Sequence, residues 1–310
     1  MMKIKGIGAT TGVDRHNCRI TKEALENAIE KLNTGKYVPS MGLDHDSSLM
    51  PIGKTYKAEL VPLKGGEYGA YIYQETFENF NVFDSKAFGT LYEASISTDS
   101  RPFADTEPES IEKLTVQLDP VNFGYEAFDP IKEQIKKDLD VEIDTFMRKS
   151  LIPDPEVVID FIKDSFILLA ATQTVNKTVE KLSSDGSNLY DKIKQIIIKV
   201  VKYIKPSNRP ITYVMKENRG YILELLVRTA DPNVLFQALS SEKLSFINDI
   251  DRTKDVIDEP TYKIQFMYNE DKSCWEFNYL STSTGKVIGS EKCYKRTMKL
   301  SSEFLKKYKP

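Results

Sequence analysis

The sequence predicts an α+β fold in three parts: a β-rich domain at 1–130, a helical segment at 131–206 and a small α+β domain at 207–310. Short alternating apolar runs dominate the first part, and a helical apolar stripe marks the second. The order strand, strand, helix occurs twice in the third. A chain of 310 residues suits more than one domain, because a single domain commonly spans about 100–200 residues.

The N-terminal part begins with a strand and a helix. A strand is predicted at residues 3–10, and a helix at 22–34, with Thr21 as its N-cap and Gly35 at its end. From residue 37 to 121 the pattern turns to short alternating runs, which predict one β-rich unit.

The middle of the chain predicts three helices. The first covers 131–150; the second starts at the PDPE sequence of 153–156, with Asp154 as N-cap, and is broken at Asp185-Gly186. The third has apolar residues at helical spacing and ends before Pro206. Its stripe consists of Ile193, Ile196, Ile197, Val200, Val201 and Ile204.

The C-terminal part predicts a ββα-ββα order. A hairpin at 210–229 precedes a helix at 232–250 capped by Asp231, and a second hairpin at 261–289 precedes a basic helix. This order predicts helices packed on one face of an antiparallel sheet.

Charge and composition limit the partners. Residues 1–130 carry 13 Lys and Arg against 20 Asp and Glu, whereas 131–310 carry 30 against 26, so the net charge changes from −7 to +4. We therefore expect two modules with different partners. The weak positive charge does not favour nucleic acid, and no stretch reaches the roughly 18–20 apolar residues of a membrane helix. Three cysteines without a CxxC motif favour a cytoplasmic protein.

Few catalytic arrangements suit a chain with two histidines, His16 and His45. The sequence contains no metal-binding or nucleotide-binding motif, so we expect no cofactor and no metal, although a short acidic group such as Asp44 and Asp46 could still bind a cation. Ser95 and Ser97 alternate along a predicted strand and therefore share one face. Nucleophilic catalysis would need one of these hydroxyls close to an imidazole.

Four segments in order resemble the phage prohead (capsid maturation) proteases. They are GATTGVDRHNCRI, GLDHDSSLMPIG, LYEASIST and LTVQLDPVN, and together they span about residues 3–125. The second is similar to the segment of the family that carries the catalytic histidine, and the third to its nucleophile strand. The resemblance implies a compact β-barrel-like protease domain with the fold of the herpesvirus assemblins. It also implies Ser95 as the nucleophile, His45 as the general base and an acyl-enzyme intermediate.

The third catalytic group is the main departure from the family. The closing strand of the family carries a Glu two residues before its Ser or Thr, where this chain has Lys113. Glu112, one position away, is the carboxylate that could serve as the third group. His16 is a second candidate, in a Ser-His-His arrangement. The remaining alternative is that no third group is present. Ser97 also replaces a family glycine.

Two functions follow from these residues. The first is a serine endopeptidase that cleaves itself or an assembly partner, with Ser95, His45 and Glu112 at its site. The alternative is a catalytically inactive protease-like binding or assembly protein, in phage morphogenesis or in phage defence. Both functions imply a protein substrate or partner, and both are compatible with a homo-oligomer.

Overall fold

A computed structural model describes most of the chain. The described residues are 3–13, 19–77, 80–96, 98–107, 111–123, 125–146, 154–171, 180–204, 209–250 and 258–306. The strands are β1 Lys3–Thr10, β2 Ser40–Met41, β3 Gly53–Pro62, β4 Tyr68–Thr76, β5 Phe80–Ser85, β6 Gly89–Ala94, β7 Thr115–Leu118, β8 Glu142–Thr145, β9 Glu156–Phe161, β10 Ile211–Asn218, β11 Ile222–Thr229, β12 Thr261–Asn269, β13 Cys274–Thr282 and β14 Val287–Ser290. The helices are α1 Lys22–Thr34, α2 Tyr125–Leu139, α3 Ser165–Ala170, α4 Glu180–Val201, α5 Pro232–Ala238, α6 Ser241–Leu244 and α7 Glu291–Lys306.

The chain forms two compact units, and their boundaries differ from those predicted at 130 and 206. The first unit contains residues 1–107, 259–262 and 279–310, and the second contains 108–258 and 263–278. The reason is a long-range pairing: β14, near the C-terminus, lies antiparallel to β6, with Val287 opposite Ala94. The mixed α+β class is as predicted.

The first unit is built on two groups of strands. One is a four-stranded antiparallel sheet in the order β1-β4-β3-β2. The other places β5, β6, β14 and residues 279–282 of β13 side by side. Among the described residues the four-stranded sheet is open, with β1 and β2 at its edges. These four strands therefore do not close the barrel that the resemblance implied.

Helix α1 forms where the sequence predicts it. The Thr21 side chain accepts a hydrogen bond from the Ala24 amide, which satisfies one of the free N–H groups at the start of the helix. At the other end the Gly35 amide donates to the Lys31 carbonyl. Leu25 is buried at 3% exposure. Local signals were enough to set both ends of this helix.

The second unit contains a mixed sheet rather than the antiparallel sheet that we predicted. Its strands lie in the order β12-β11-β10-β9-β7-β8, next to residues 274–278 of β13. The pairs β11–β12, β9–β10 and β7–β8 are parallel, whereas β10–β11 and β7–β9 are antiparallel. The predicted closing strand of the N-terminal domain is β7, so it belongs to this sheet instead.

Two helix predictions in the second unit are wrong. Residues 156–161 form β9, with all six residues buried, because this Val- and Ile-rich run occupies an interior strand position between β10 and β7. Asp154 pairs with Arg228 instead of capping a helix. Helix α4 also continues through Gly186 to Val201. The glycine costs only about 1 kcal/mol, which the buried stripe of the helix outweighs.

The other helix and strand predictions for the second unit are confirmed in outline. Ile193, Ile196, Ile197 and Val200 of α4 have no exposed surface. The first C-terminal hairpin is β10 and β11, but the predicted helix at 232–250 is divided into α5, α6 and a short 3₁₀ turn. The predicted helix at 131–150 starts earlier, at Tyr125, and ends at Leu139. Among the described helices, none is both long and apolar enough to cross a membrane.

Candidate functional site

Ser95 lies directly after β6 in the first unit. The strand ends at Ala94, so Ser95 and Ile96 lie just outside it. Ser95 is exposed, whereas Ile96 is 7% exposed. The predicted alternation of faces therefore holds for this pair, and it presents the Ser95 hydroxyl to solvent. Ser97, the other candidate nucleophile, lies outside the described residues.

His45 lies in a turn between β2 and β3. Asp44 and His45 have positive φ values of 48° and 55°, which are uncommon for residues with side chains. The Asp46 carboxylate accepts from the Ser48 amide at 2.9 Å and from the Ser48 hydroxyl. Arg296 of α7 donates to the Ser48 carbonyl. The turn is thus fixed from both sides, and it leaves His45 exposed.

One hydrophobic cluster joins the segments that carry Ser95 and His45. Met50, five residues after His45, packs in the same buried cluster as Ala94 and Ile96, which flank Ser95. Cys293 of α7 is also a member, and burial raises the pKa of its thiol. The segments that carry Ser95 and His45 therefore pack against the same buried cluster, while both candidate side chains stay exposed.

Glu112 belongs to the other unit. It is exposed and precedes β7, whereas Ser95 and His45 both belong to the first unit. Together with Lys113 it lines a surface cavity of about 400 Å³. Lys113 lies 3.7 Å from the carboxylate of Asp140. His16, the alternative third group, is outside the described residues.

Our sequence analysis did not select Lys54, a buried lysine that contacts the chain segment after Ser95. Lys54 on β3 has no exposed surface, and its Nζ donates to the backbone carbonyl oxygens of Asp99, at 2.8 Å, and Arg101. Burial lowers the pKa of Lys54 to about 8, although the Asp99 carboxylate opposes that change. An amine with such a pKa is partly neutral at physiological pH, which is a frequent property of lysines at functional sites.

Arg101 fixes the same stretch of chain from its other side. Its guanidinium donates to the carbonyl oxygens of Leu32 at 2.6 Å and Tyr56 at 3.0 Å, and it binds the Asp99 carboxylate at 2.7 Å. This ion pair and burial act in opposite directions on Asp99, and its pKa lies below the ordinary value. All these contacts are made within the first unit, so residues 99–101 form a rigid end to the segment that follows Ser95.

A buried carboxylate lies across the sheet from Lys54. Glu75 on β4 is the register partner of Lys54, and it has no exposed surface. Its Oε2 accepts from the Thr98 hydroxyl, and its Oε1 has no hydrogen-bond partner among the residues that the structure describes. Thr98 is three residues after Ser95, so this contact also holds the segment to β4.

Within the described part of the chain, no group of three or more His, Cys, Asp or Glu residues is arranged to hold a metal ion. Comparison with models of protein families, with curated proteins and with solved structures finds no match to this chain. Its function must therefore be inferred from its own residues.

Proposed function

We propose that the protein is a serine endopeptidase that cleaves itself or an assembly partner, with Ser95 as nucleophile and His45 as general base. One observation supports it most: the His45 turn and the end of β6 pack in one cluster through Met50, Ala94 and Ile96, with both candidate side chains exposed beside it. Nucleophile and base must meet while remaining open to a substrate.

The proposed reaction has two steps. The Ser95 hydroxyl adds to the scissile carbonyl carbon while His45 accepts its proton, and the same proton then passes to the leaving amine as the peptide bond breaks. Water next adds to the acyl-enzyme, His45 again accepts the proton, and Ser95 recovers it as the new carboxyl group leaves. No cofactor takes part in these steps.

A fluorophosphonate probe tests the assignment, because it reacts with an activated serine and forms a stable adduct that mass spectrometry locates. We expect a single adduct at Ser95 in the wild-type protein. Ser95→Ala should abolish it, and His45→Ala should slow it by roughly 10²–10⁴-fold, the usual contribution of a general base. Ser100→Ala is the matched control, since Ser100 is an exposed serine of the same segment.

The proposal fails if wild type and Ser95→Ala are equally inert to the probe and give the same self-cleavage pattern. An adduct that survives Ser95→Ala but disappears in Ser97→Ala would move the nucleophile by two residues. Both measurements use the full-length chain, so any contribution of the second unit to the reaction is retained.

A non-catalytic binding or assembly role is the second candidate function. The residue at the carboxylate position of the family favours it, because this chain has Lys113 there, and a lysine would not orient His45 as a carboxylate does. The family resemblance leaves most of the second unit unexplained, and a recognition surface would account for it. In that case the probe should not react, and the partner should bind wild type and Ser95→Ala equally well.

A further inference from the structure

Lys54 is an unusual residue to bury on a strand, because a lysine seldom loses all contact with water unless it is paired. Its partners are two backbone carbonyl groups four and six residues beyond Ser95. We propose that Lys54 positions the serine-bearing segment 95–101 by holding the carbonyl groups of Asp99 and Arg101. The relevance of this role to catalysis rests on the function proposed for Ser95.

The segment is held at both ends, and Ser95 lies between them. At its start, Ala94 is paired with Phe80 on one side and Val287 on the other. At its end, Lys54 binds the carbonyl oxygens of Asp99 and Arg101. Between these ends the Ile96 side chain is buried and the Thr98 hydroxyl donates to Glu75. Loss of the lysine contact would therefore loosen the far end, where the Arg101 guanidinium contacts remain, and leave the β6 end in place.

The space around the amine is matched to Lys54. Gly285 lies in the turn between β13 and β14, and a Cβ added there would overlap both Lys54 Nζ and the Arg101 carbonyl oxygen. Its φ of +74° is also a conformation that favours glycine. The ring of Phe103 lies 5.5 Å from Nζ. The amine thus occupies a closed pocket between β3, the segment and this turn.

Charged groups lie near the pocket on the segment, on β4 and on the turn that contains Gly285, whereas Ser40 of β2, the other cross-strand neighbour of Lys54, is uncharged. Asp99 and Arg101 lie on the segment, Glu75 is the cross-strand partner on β4, and Lys286 follows Gly285 but pairs with Glu259. Burial is the largest influence on the amine and lowers its pKa to about 8. If the segment opened, water would reach Nζ and its pKa would return towards 10.5. Closing the segment therefore releases a proton, and the closed form gains stability as pH rises from about 8.

The test compares Lys54→Met with Lys57→Met in the full-length protein. Methionine keeps the length and removes the donor, and Lys57 is the control because it lies on the same strand with a side chain that is 51% exposed. Amide hydrogen exchange at residues 95–103 and the rate of fluorophosphonate labelling at Ser95 are measured between pH 7 and 9.5. For Lys54→Met we expect about tenfold faster exchange and about tenfold slower labelling, the effect of losing roughly one or two hydrogen bonds.

The pH profile separates positioning from general stability. Wild type and Lys57→Met should share a rise in labelling rate that begins near pH 8, the pKa of Lys54, and Lys54→Met should lack it. If both variants exchange and label like wild type, the positioning role is wrong even though Ser95 reacts. If Ser95 is inert but Lys54→Met alone speeds exchange, the serine peptidase proposal fails and the positioning role stands.

A measurement on the wild-type protein remains decisive if Lys54→Met does not fold. In protein labelled with ¹³C at lysine, we expect one Cε resonance to titrate near pH 8, well below the ordinary value of 10.5. A spectrum in which every lysine titrates above pH 10 would overturn the buried position of the amine, and the proposal with it.

Discussion

Each unit contains a fully buried ionisable side chain that contacts the backbone, and the two side chains have opposite charge when ionised: Lys54 in the first unit and Glu217 in the second. In the first unit, the amine of Lys54 donates to two carbonyl oxygens. In the second, Glu217 of β10 is fully buried and accepts from the Phe166 amide at the start of α3, at 2.6 Å. Its other carboxylate oxygen lies 3.4 Å from Arg219 Nε. Burial raises the pKa of Glu217 to about 7.

The comparison shows that burial favours the neutral form in both units, and that the consequences for pH are opposite. Folding releases a proton from Lys54, whose pKa falls, and takes up a proton at Glu217, whose pKa rises. Lys54 therefore contributes stability to the first unit at alkaline pH, and Glu217 contributes stability to the second towards acidic pH. Breaking each contact should remove one of these two dependences and leave the other.

The largest expected effect is at Lys54. Between pH 8 and 10.5 the unfolded chain keeps the lysine proton and the folded chain does not, so the free energy of unfolding rises with pH. The pKa difference corresponds to about 3 kcal/mol over this window. Denaturant titrations at several pH values, followed by hydrogen exchange in the first unit, should show this rise for wild type and for Lys57→Met. An equal rise in Lys54→Met would contradict the prediction.

An effect of similar size and opposite direction is expected at Glu217. Between pH 4.5 and 7 the folded chain holds the carboxyl proton and the unfolded chain has lost it, so the free energy of unfolding falls as pH rises, by about 3 kcal/mol. Glu217→Gln keeps an acceptor for the Phe166 amide and should remove this fall. Trp275, the single tryptophan, lies in the second unit and reports its unfolding by fluorescence.

The control for Glu217 is Glu242→Gln, since the Glu242 side chain is 77% exposed in the same unit. Its pH dependence should equal that of wild type. If the free energy of unfolding of Glu217→Gln still falls fully between pH 4.5 and 7, another group takes up the proton on folding. The prediction for Glu217 would then be wrong.

Local signals in the sequence predicted the elements that depend on local contacts. Helix α1 has its cap at Thr21, and the stripe of α4 repeats at helical spacing, so both follow from neighbours along the chain. β9 was predicted as a helix, because the PDPE sequence resembles a helix start and its strand partners are far away in sequence. The unit boundaries depend on the pairing of β14 with β6, which no local pattern reveals.

The candidate site shows the same limit. Ser95 and His45 were selected from sequence by an interpretation of their segments as protease-like motifs, and their role stays a prediction. Lys54 could not be selected, since its acceptors at Asp99 and Arg101 are 45 and 47 residues away. In the sequence it looks like any lysine on a half-exposed strand. An alternating pattern that places a lysine on the inner face is the one signal that could have identified it.

The smallest predicted effect distinguishes two losses of stability at Gly285. One comes from displacement of the Lys54 amine, and the other comes from backbone strain in the turn between β13 and β14. Gly285→Ala and Gly65→Ala both place a side chain at positive φ, 74° and 80°, but only at Gly285 would the added carbon overlap Lys54 Nζ. Strain alone should cost each variant about 1–2 kcal/mol, and displacement of the amine should add about 1 kcal/mol at Gly285. Thermal unfolding measures both losses. In the double variant Gly285→Ala, Lys54→Met the additional cost should fall, because the displaced group is no longer an amine; equal costs for both glycines would show that the turn leaves Lys54 undisturbed.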